Sequence, residues 1–152
     1  MERISFQNTP DGLYNGLYAM GNYLDKIGLD KQLQYLVDYR VSQINECAFC
    51  LDMHFKEAIA AGESTVRLSM LSAWRDSDRF SEKEAVILRY AEALTSLPNN
   101  NIDEDIYGPM KKHFDDNEIA AWTLAIVRIN CWNRLMKAFK TKAGEYKVGQ
   151  FA

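Results

Sequence analysis

The stretch "IAAWTLAIVRINCWNRLMKAF", residues 119–139, decides the fold class of this chain. Between Ile119 and Trp132 the only charged residue is Arg128, so the segment predicts a helix that is buried on most sides. Asp115 and Glu118 precede it at the spacing of a capping box, which marks where the helix begins. We therefore expect a helical bundle with a long, mostly buried C-terminal helix.

The rest of the chain also has the pattern of helices. It contains 3 prolines and 8 glycines, and it lacks the alternating Val, Thr and Tyr runs that are typical of strands. Helices are predicted near residues 12–27, which Gly28 ends, then from Asp30, and from about Cys47 to Ala61. Ser64 caps a fourth helix that continues to Trp74, the pair Ser81 and Glu84 opens a fifth, and a short sixth spans about residues 103–113. The predicted fold class is all-α.

Length and composition restrict the possible functions. The 152 residues are expected to form a single domain, 1–152, and a net charge of -3 argues against binding to nucleic acid or to an anionic membrane surface. The first residues have no apolar leader, and no later run is long and apolar enough to span a membrane. We expect a cytoplasmic protein whose polar tail, from Thr141 onward, is frayed.

Two cysteines and a histidine lie close together in "NECAFCLDMHFKEA", residues 45–58. The spacings of three and four residues predict that Cys47, Cys50 and His54 project from the same side of one helix. Asn45 tolerates the left-handed conformation and is expected to end the preceding helix. Two thiols three residues apart on a helix need only a modest adjustment to form a disulfide, and so small a loop suits a redox pair better than a structural crosslink.

The position of the pair on its helix favours redox chemistry. Unpaired backbone N–H groups and the helix dipole stabilise a thiolate in the first turn. His54 lies one turn beyond Cys50 and can exchange protons with it or with a leaving oxygen. The segment therefore offers a nucleophile, a second thiol and an acid–base group.

Three other interpretations of the cluster remain open at this point. A closed zinc site needs four ligands, whereas the remaining His113 and Cys131 are isolated in the sequence, so no metal is predicted. The three residues could also simply pack in the core, since free cysteine behaves as a small buried apolar residue, and this is the preferred interpretation of Cys131, deep in an apolar helix. A CxxC of the thioredoxin type would follow a strand, which this sequence lacks.

Three segments together resemble a known family. They are "RVSQINECAFCLDMHFKEA" (40–58), "LSAWRDSDRFSEKEAVILRYAEALT" (71–95) and "NEIAAWTLAIVRINCWNRLMKAF" (117–139). The first resembles the CxxCxxxH signature of the alkylhydroperoxidase D-like branch of the carboxymuconolactone decarboxylase superfamily, and the resemblance covers roughly residues 30–140. It implies an all-helical fold, assembly into trimers or hexamers, and a thiol-dependent peroxidase activity that serves antioxidant defence.

The resemblance also implies a role for each residue of the motif. Cys50 matches the cysteine that attacks the peroxide, Cys47 the one that resolves the sulfenic acid into a disulfide, and His54 a member of the proton relay. Electrons would come from an external dithiol, such as a lipoyl group on a partner protein, and no cofactor is implied.

The sequence departs from the family pattern at two positions. The family has a glutamate twelve residues before the first cysteine, where this chain has Tyr35, and a phenol is a poorer base than a carboxylate at neutral pH. Glu46 occupies a position where close relatives usually have glycine. It either replaces the missing carboxylate or is a solvated residue at the helix start, and its charge near Cys50 would raise the pKa of that thiol.

Two other functions are compatible with the residues. One is a non-enzymatic redox-sensing or interaction module in which the disulfide alters subunit contacts, and the other is a carboxymuconolactone decarboxylase-like enzyme that does not need the cysteines. Asn130 and Asn133 are expected to hydrogen-bond a neighbouring helix. Tyrosines concentrated in the first two helices predict an oligomer interface there, namely Tyr14, Tyr18, Tyr23, Tyr35 and Tyr39.

Overall fold

The computed structural model describes residues 1–151, and within that range it contains seven α-helices, three short 3₁₀ helices and no strand. The all-α bundle that the sequence predicts is confirmed. The α-helices are α1 (Asn15–Lys26), α2 (Lys31–Ile44), α3 (Ala48–Ala60), α4 (Thr65–Met70), α5 (Glu82–Thr95), α6 (Glu104–Met110) and α7 (Asp116–Phe139). The 3₁₀ helices are Phe6–Asn8, Leu71–Asp76 and Leu97–Asn99.

Helix α7 lies at the centre of the bundle and packs against α1, α2, α3 and α5. It buries Trp122, Ile126 and Ile129 almost completely, as the apolar sequence predicts for a mostly buried C-terminal helix. Its outer side, with Ala120 and Val127, is exposed. Among the helices of the described chain, none is both long enough and apolar enough to cross a membrane.

Side-chain caps begin the helices where the sequence predicts them. At α7 the Glu118 amide donates to Asp115 Oδ1 at 2.8 Å, and the Asp115 amide donates to Glu118 Oε2 at 2.8 Å. Ser81 and Glu84 form the same reciprocal pair at α5. Each such cap is worth about 0.5–2 kcal/mol of stability, so both helix starts are well determined.

The fourth predicted helix is divided. Its α-helical part ends at Met70, and residues Leu71–Asp76 continue as a 3₁₀ helix, so the prediction of one helix through Trp74 is wrong. The tighter winding places both Leu71 and Trp74 in the same apolar cluster and lets the Trp74 indole donate to Glu92 at 2.8 Å.

The connection between α2 and α3 turns one residue later than predicted. Asn45 keeps φ -79°, and Glu46 takes the left-handed conformation with φ 52°. The Cys47 amide donates to the Ser42 carbonyl at 3.1 Å, and the Glu46 amide donates to the Gln43 carbonyl at 3.1 Å. These two bonds define a Schellman motif, which requires its left-handed residue at Glu46.

The tail is docked, not frayed. Residues 142–151, which we call the C-terminal strap, lie along α3. The Gly144 and Tyr146 amides donate to Asp52 Oδ2 at 2.9 and 3.2 Å, and the Gly149 amide donates to Glu57 Oε1 at 3.0 Å. The polar composition suggested fraying. The strap is instead held mainly through its backbone donors, and a polar sequence does not show where such donors bind.

Candidate redox site

Cys47 and Cys50 are joined by a disulfide, with their Cα atoms 5.3 Å apart. Cys47 is the residue that precedes α3 and has an extended backbone, whereas Cys50 lies in the first turn. The prediction that Cys47, Cys50 and His54 all project from one helix is therefore wrong for Cys47. The extended conformation at Cys47 follows from the Schellman turn before it, and it still brings the two sulfurs together.

The disulfide is buried in the folded chain. Cys47 is 1% exposed, Cys50 2% and His54 6%. An apolar cluster surrounds the two sulfurs, and its buried members are Tyr14, Phe49, Met136 and Tyr146. Burial of this degree shields a thiol from indiscriminate oxidation, and it means that any reacting partner must enter through a defined opening.

A cavity of about 240 Å³ provides that opening. Cys50 and His54 both contribute to its described lining, together with Arg128. The apolar part of the wall is largely aromatic, with Phe6, Tyr18, Trp132 and Phe151. A small organic molecule in this cavity would therefore meet the Cys50 side of the disulfide and the imidazole at once.

Asp38, on α2, is the carboxylate nearest the histidine. Its Oδ2 lies 4.0 Å from His54 Nδ1 and accepts a hydrogen bond from Arg128 Nη2 at 3.1 Å. The Asp38 side chain is almost fully buried. Sequence reasoning missed Asp38, although one signal was present: it is a charged residue on the face of α2 that also carries the core residues Val37 and Val41.

Tyr35 lies elsewhere, although it occupies the position of the family glutamate. It packs with Leu36, Tyr39 and Phe55 in a separate apolar cluster. Asp38 is one helical turn further along α2, so the structure places the carboxylate beside His54 from a different position of the same helix. Glu46 is exposed and lies outside α3, in agreement with its interpretation as a solvated residue.

The electrostatics of the site keep the histidine uncharged. Burial lowers the pKa of His54, Asp38 and Glu57 oppose that shift, Arg128 adds to it, and the net pKa is below the usual 6.5. Nδ1 is directed toward Asp38, and Nε2 has no hydrogen-bond partner in the described chain. A neutral imidazole with a free ring nitrogen can accept a proton from a nearby thiol.

The polar residues of α7 hold the turn that carries Cys47. Asn45 Nδ2 donates to Asn130 Oδ1 and to Asn133 Oδ1, each at 2.9 Å, and Asn133 Nδ2 donates to Ser42 Oγ at 3.1 Å. The predicted hydrogen bonds from Asn130 and Asn133 to a neighbouring helix are thus confirmed. They connect the centre of the bundle to the α2–α3 turn.

The other candidate ligands lie outside the site. His113 Nε2 is 3.5 Å from Glu82 Oε1. Cys131 is a free thiol that is only partly buried, so the expectation that it lies deep in an apolar helix is wrong. Within residues 1–151, no three His, Cys, Asp or Glu side chains form a group that could hold a metal ion.

Comparison of the sequence and the fold with those of known proteins identifies the family of the chain. The sequence profile of the carboxymuconolactone decarboxylase family matches residues 11–93, which is more than half of the chain. The chain belongs to this family. An uncharacterized family relative, YdfG of Bacillus subtilis (strain 168), is 32% identical over 143 residues, which cover 93% of this chain and 97% of YdfG. Another, the uncharacterized YnjA of Escherichia coli (strain K12), is 31% identical over 98 residues, 64% of this chain and 53% of YnjA.

Similarity to solved structures supports the alkylhydroperoxidase D-like branch of the carboxymuconolactone decarboxylase superfamily, as the sequence predicts. A protein of unknown function from Agrobacterium tumefaciens, provisionally named as the antioxidant defence protein AhpD, superposes with a TM-score of 0.91 and 32% identity, covering 96% of this chain and 100% of that chain. An uncharacterized peroxidase-related protein from Ralstonia eutropha JMP134, with an alkylhydroperoxidase AhpD core, gives a TM-score of 0.75 at 13% identity. It covers 87% of this chain and 70% of its own, and at that identity it supports the fold alone.

Proposed function

We propose that this protein is a thiol-dependent peroxidase that reduces hydroperoxides through the Cys47–Cys50 pair. One observation carries the proposal: the disulfide reaches a small, aromatic-walled cavity at Cys50, beside a buried neutral histidine that a carboxylate flanks. Nucleophile, second thiol and base are the groups that two-electron reduction of a peroxide requires. The antioxidant name of the Agrobacterium protein points the same way.

The reaction would start from the reduced pair. The Cys50 thiolate attacks one peroxide oxygen, the O–O bond breaks, and Cys50 becomes a sulfenic acid while the alcohol leaves with a proton. The Cys47 thiolate then attacks the Cys50 sulfur, and water leaves as the disulfide forms. The two thiols thus supply two electrons and two protons, and the hydroperoxide becomes an alcohol and water.

Cys50 is the better nucleophile by position. It lies in the first turn of the 13-residue helix α3, where the backbone N–H groups and the dipole stabilise a thiolate, and it lines the cavity. Cys47 precedes the helix, with its Cα atom 5.3 Å from that of Cys50, which suits the resolving role that the family resemblance implies.

His54 would accept the Cys50 proton and return it to the leaving alkoxide. Its lowered pKa keeps it unprotonated at neutral pH, so it can act as a base. We propose that Asp38, fixed by Arg128, replaces the family glutamate by orienting the imidazole and stabilising its protonated form. Tyr35 then has a packing role.

Each turnover ends with the disulfide, which must be reduced by an external dithiol. We propose a lipoyl group on a partner protein as one such reductant, a cytoplasmic location, and assembly as a homo-oligomer. Of the five tyrosines predicted at an interface, Tyr18 and Tyr23 on α1 are exposed and Tyr14 is buried. An interface would therefore involve the outer side of α1.

The test is peroxide consumption with cumene hydroperoxide and dihydrolipoamide. We expect turnover that Cys50→Ser abolishes and that the matched variant Cys131→Ser leaves within about twofold of the parent, because Cys131 lies outside the site. A disulfide that forms and opens reversibly without turnover would instead indicate a redox-sensing module. Lactone decarboxylation that survives Cys50→Ser would indicate a decarboxylase.

A further inference from the structure

We propose that the C-terminal strap is a gate over the disulfide, which admits slender dithiols and excludes a dithiol presented on the surface of a folded protein. The inference rests on the proposed redox role of the pair and defines the class of reductant that the site accepts: a small molecule, or a dithiol at the end of a flexible arm. The strap comprises residues 142–151, beside which Phe6 of the N-terminal segment completes the cover.

The first argument is access to the sulfurs. Thiol–disulfide exchange requires an incoming thiolate to reach one sulfur of the bond, and its rate depends on which sulfur can be reached. Both cysteine residues are almost fully buried, and Cys50 contributes to the described cavity lining. The reductant must therefore pass through the cavity and attack Cys50, with Cys47 as the leaving thiolate.

The second argument is the identity of the cover. Tyr146 of the strap packs in the apolar cluster that contains both cysteines. Phe151 stacks on Tyr146 with a centroid distance of 5.9 Å and on Phe6 at 5.0 Å. Phe6 and Phe151 both line the cavity, so part of its wall is formed by segments outside the seven α-helices.

The third argument is the way the strap is attached. Its polar contacts lead to α3, the helix that begins at the redox pair: Asp52 accepts from two strap amides, Lys56 Nζ donates to the Tyr146 carbonyl at 3.0 Å, and Glu57 accepts from the Tyr146 hydroxyl and the Gly149 amide. The strap has no regular secondary structure beyond a turn. Because the strap is attached to α3 from outside the bundle, weakening these contacts can displace it while the bundle stays folded.

The size of the cavity sets the selectivity. A volume of about 240 Å³ accepts an aliphatic chain that ends in two thiols. We expect Phe6 and Phe151, which line the cavity, to block the backbone on either side of a surface dithiol. Inside, the first thiolate bonds to Cys50 as the S–S bond breaks, and Cys47 takes up the released proton. The second thiol then attacks the reductant's own sulfur in the mixed disulfide. The products are reduced Cys50 and an oxidised cyclic reductant, so two electrons enter the protein.

The experiment measures stoichiometric reduction of the disulfide without peroxide. The reaction is quenched with a thiol-alkylating reagent, and the alkylated protein is quantified by mass spectrometry. The reductants are dithiothreitol and reduced thioredoxin, applied to the full chain and to a variant that ends at Ala143. We expect the truncation to raise the thioredoxin rate constant about tenfold or more and to change the dithiothreitol rate by about threefold at most.

Two point variants test the gate where the truncated chain does not fold. Phe151→Ala opens the cavity wall, with Val148→Ala, another exposed apolar strap residue, as its matched control. Asp52→Asn weakens the attachment, with Glu145→Gln as control, because Glu145 pairs only with the exposed Lys142 among the described residues. We expect the thioredoxin-to-dithiothreitol rate ratio to rise about threefold in each test variant and to stay unchanged in each control.

An unchanged rate ratio in the folded variants would overturn the gate, and so would an equal rise of both rates, since the strap would then shield the disulfide without selecting by size. Because no peroxide is used, these results are independent of peroxidase activity. A chain with the expected rate ratios but no peroxide turnover would contradict the proposed function alone.

Discussion

Two polar clusters of the bundle differ in how completely their groups are paired. Glu92 accepts hydrogen bonds from Arg40 at 2.7 Å and from the Trp74 indole at 2.8 Å, and its second oxygen lies 2.6 Å from Arg75. At the redox site, by contrast, Asp38 Oδ1, His54 Nε2 and Arg128 Nε are buried without partners in the described chain.

The difference separates a structural network from a reactive one. Buried polar atoms are normally hydrogen-bonded, because leaving one unpaired costs free energy. The Glu92 cluster follows that rule and joins α2 and the Leu71–Asp76 segment to α5. Buried polar atoms without partners also occur elsewhere in the described chain, at Gln34 and His113. Those of His54 and Arg128 belong to residues that line the cavity, as expected where a substrate completes the pairing.

The largest expected effect comes from His54. His54→Gln removes the base, so kcat/KM for cumene hydroperoxide should fall about a hundredfold, while the protein stays folded. Steady-state kinetics and circular dichroism measure the two quantities. A variant that retains at least half of the parental kcat/KM would show that this imidazole does not take part in the reaction.

Asp38→Asn should have the next largest effect. The amide keeps the size of the side chain but removes the charge beside His54 and Arg128, so kcat/KM should fall about ten- to a hundredfold. Tyr35→Phe is the matched control, because Tyr35 lies on the same helix in another cluster and should be neutral. The reverse ranking of the two variants would restore Tyr35 to the relay.

Glu92→Gln should damage stability and spare activity. The change leaves Arg40 and Arg75 without their shared carboxylate, and we expect the free energy of unfolding to fall by about 1–2 kcal/mol. Urea unfolding measures the loss. If kcat/KM fell along with stability, the division between a structural and a reactive cluster would not hold.

The two clusters should also differ in pH dependence. The folded-state pKa of His54 is lowered by burial, so below its unfolded value of 6.5 the unfolded chain binds the extra proton and stability decreases as the pH falls through the folded pKa. Burial raises the pKa of Glu92, but hydrogen bonds from Arg75, Trp74 and Arg40 outweigh burial, and the net pKa lies below the usual 4.5. The contribution of Glu92 to folding stability is therefore lost only when the pH falls below about 4.5.

Unfolding midpoints of the parent and of His54→Gln, measured between pH 7 and pH 5, test the first part of this expectation. The variant should show a flatter profile over that interval, because it has lost the group that titrates there. Parallel profiles would indicate that the pKa of His54 does not change on folding.

The smallest expected effect is at Glu46, beside the redox pair. Its φ of 52° is unfavourable for a residue with a Cβ atom, and Glu46→Gly should stabilise the fold by about 0.5–1 kcal/mol. Glu46→Ala removes the same charge but keeps the Cβ, so it should bring no gain. Thermal unfolding distinguishes the two, and an equal gain in both would assign the effect to charge.

The sequence predicted features that depend on local order. The α7 helix, both capping boxes and the Asp30 and Ser64 caps follow from residues within a few positions of one another, and all are present. The CxxC pair and His54 also lie on one short segment. The single domain over 1–152, the cytoplasmic location and the trimer or hexamer stay predictions.

What the sequence did not reveal depends on contacts between distant segments. Asp38 reaches His54 only because α2 and α3 pack together. Arg128, which donates to Asp38, lies 90 positions after it in the chain. The strap is held by backbone amides, whose partners no side-chain pattern specifies. The one-residue error at Asn45 arose because both Asn45 and Glu46 can close a helix, and the hydrogen bonds of Asn45 to α7 decide between them.

Those bonds have a consequence for the redox cycle. The Asn45 side chain donates to Asn130 and Asn133 of α7, and the Asn45 carbonyl accepts from Lys137 Nζ of the same helix at 2.7 Å. Both the side chain and the backbone of the turn before Cys47 are therefore attached to α7. Making and breaking the S–S bond should then involve rotation about the Cα–Cβ bonds of the two cysteines, with α2 and α3 stationary. Crystal structures of the oxidised and reduced protein should then have the same backbone conformation, and the structural change on oxidation should be confined to the two cysteine side chains.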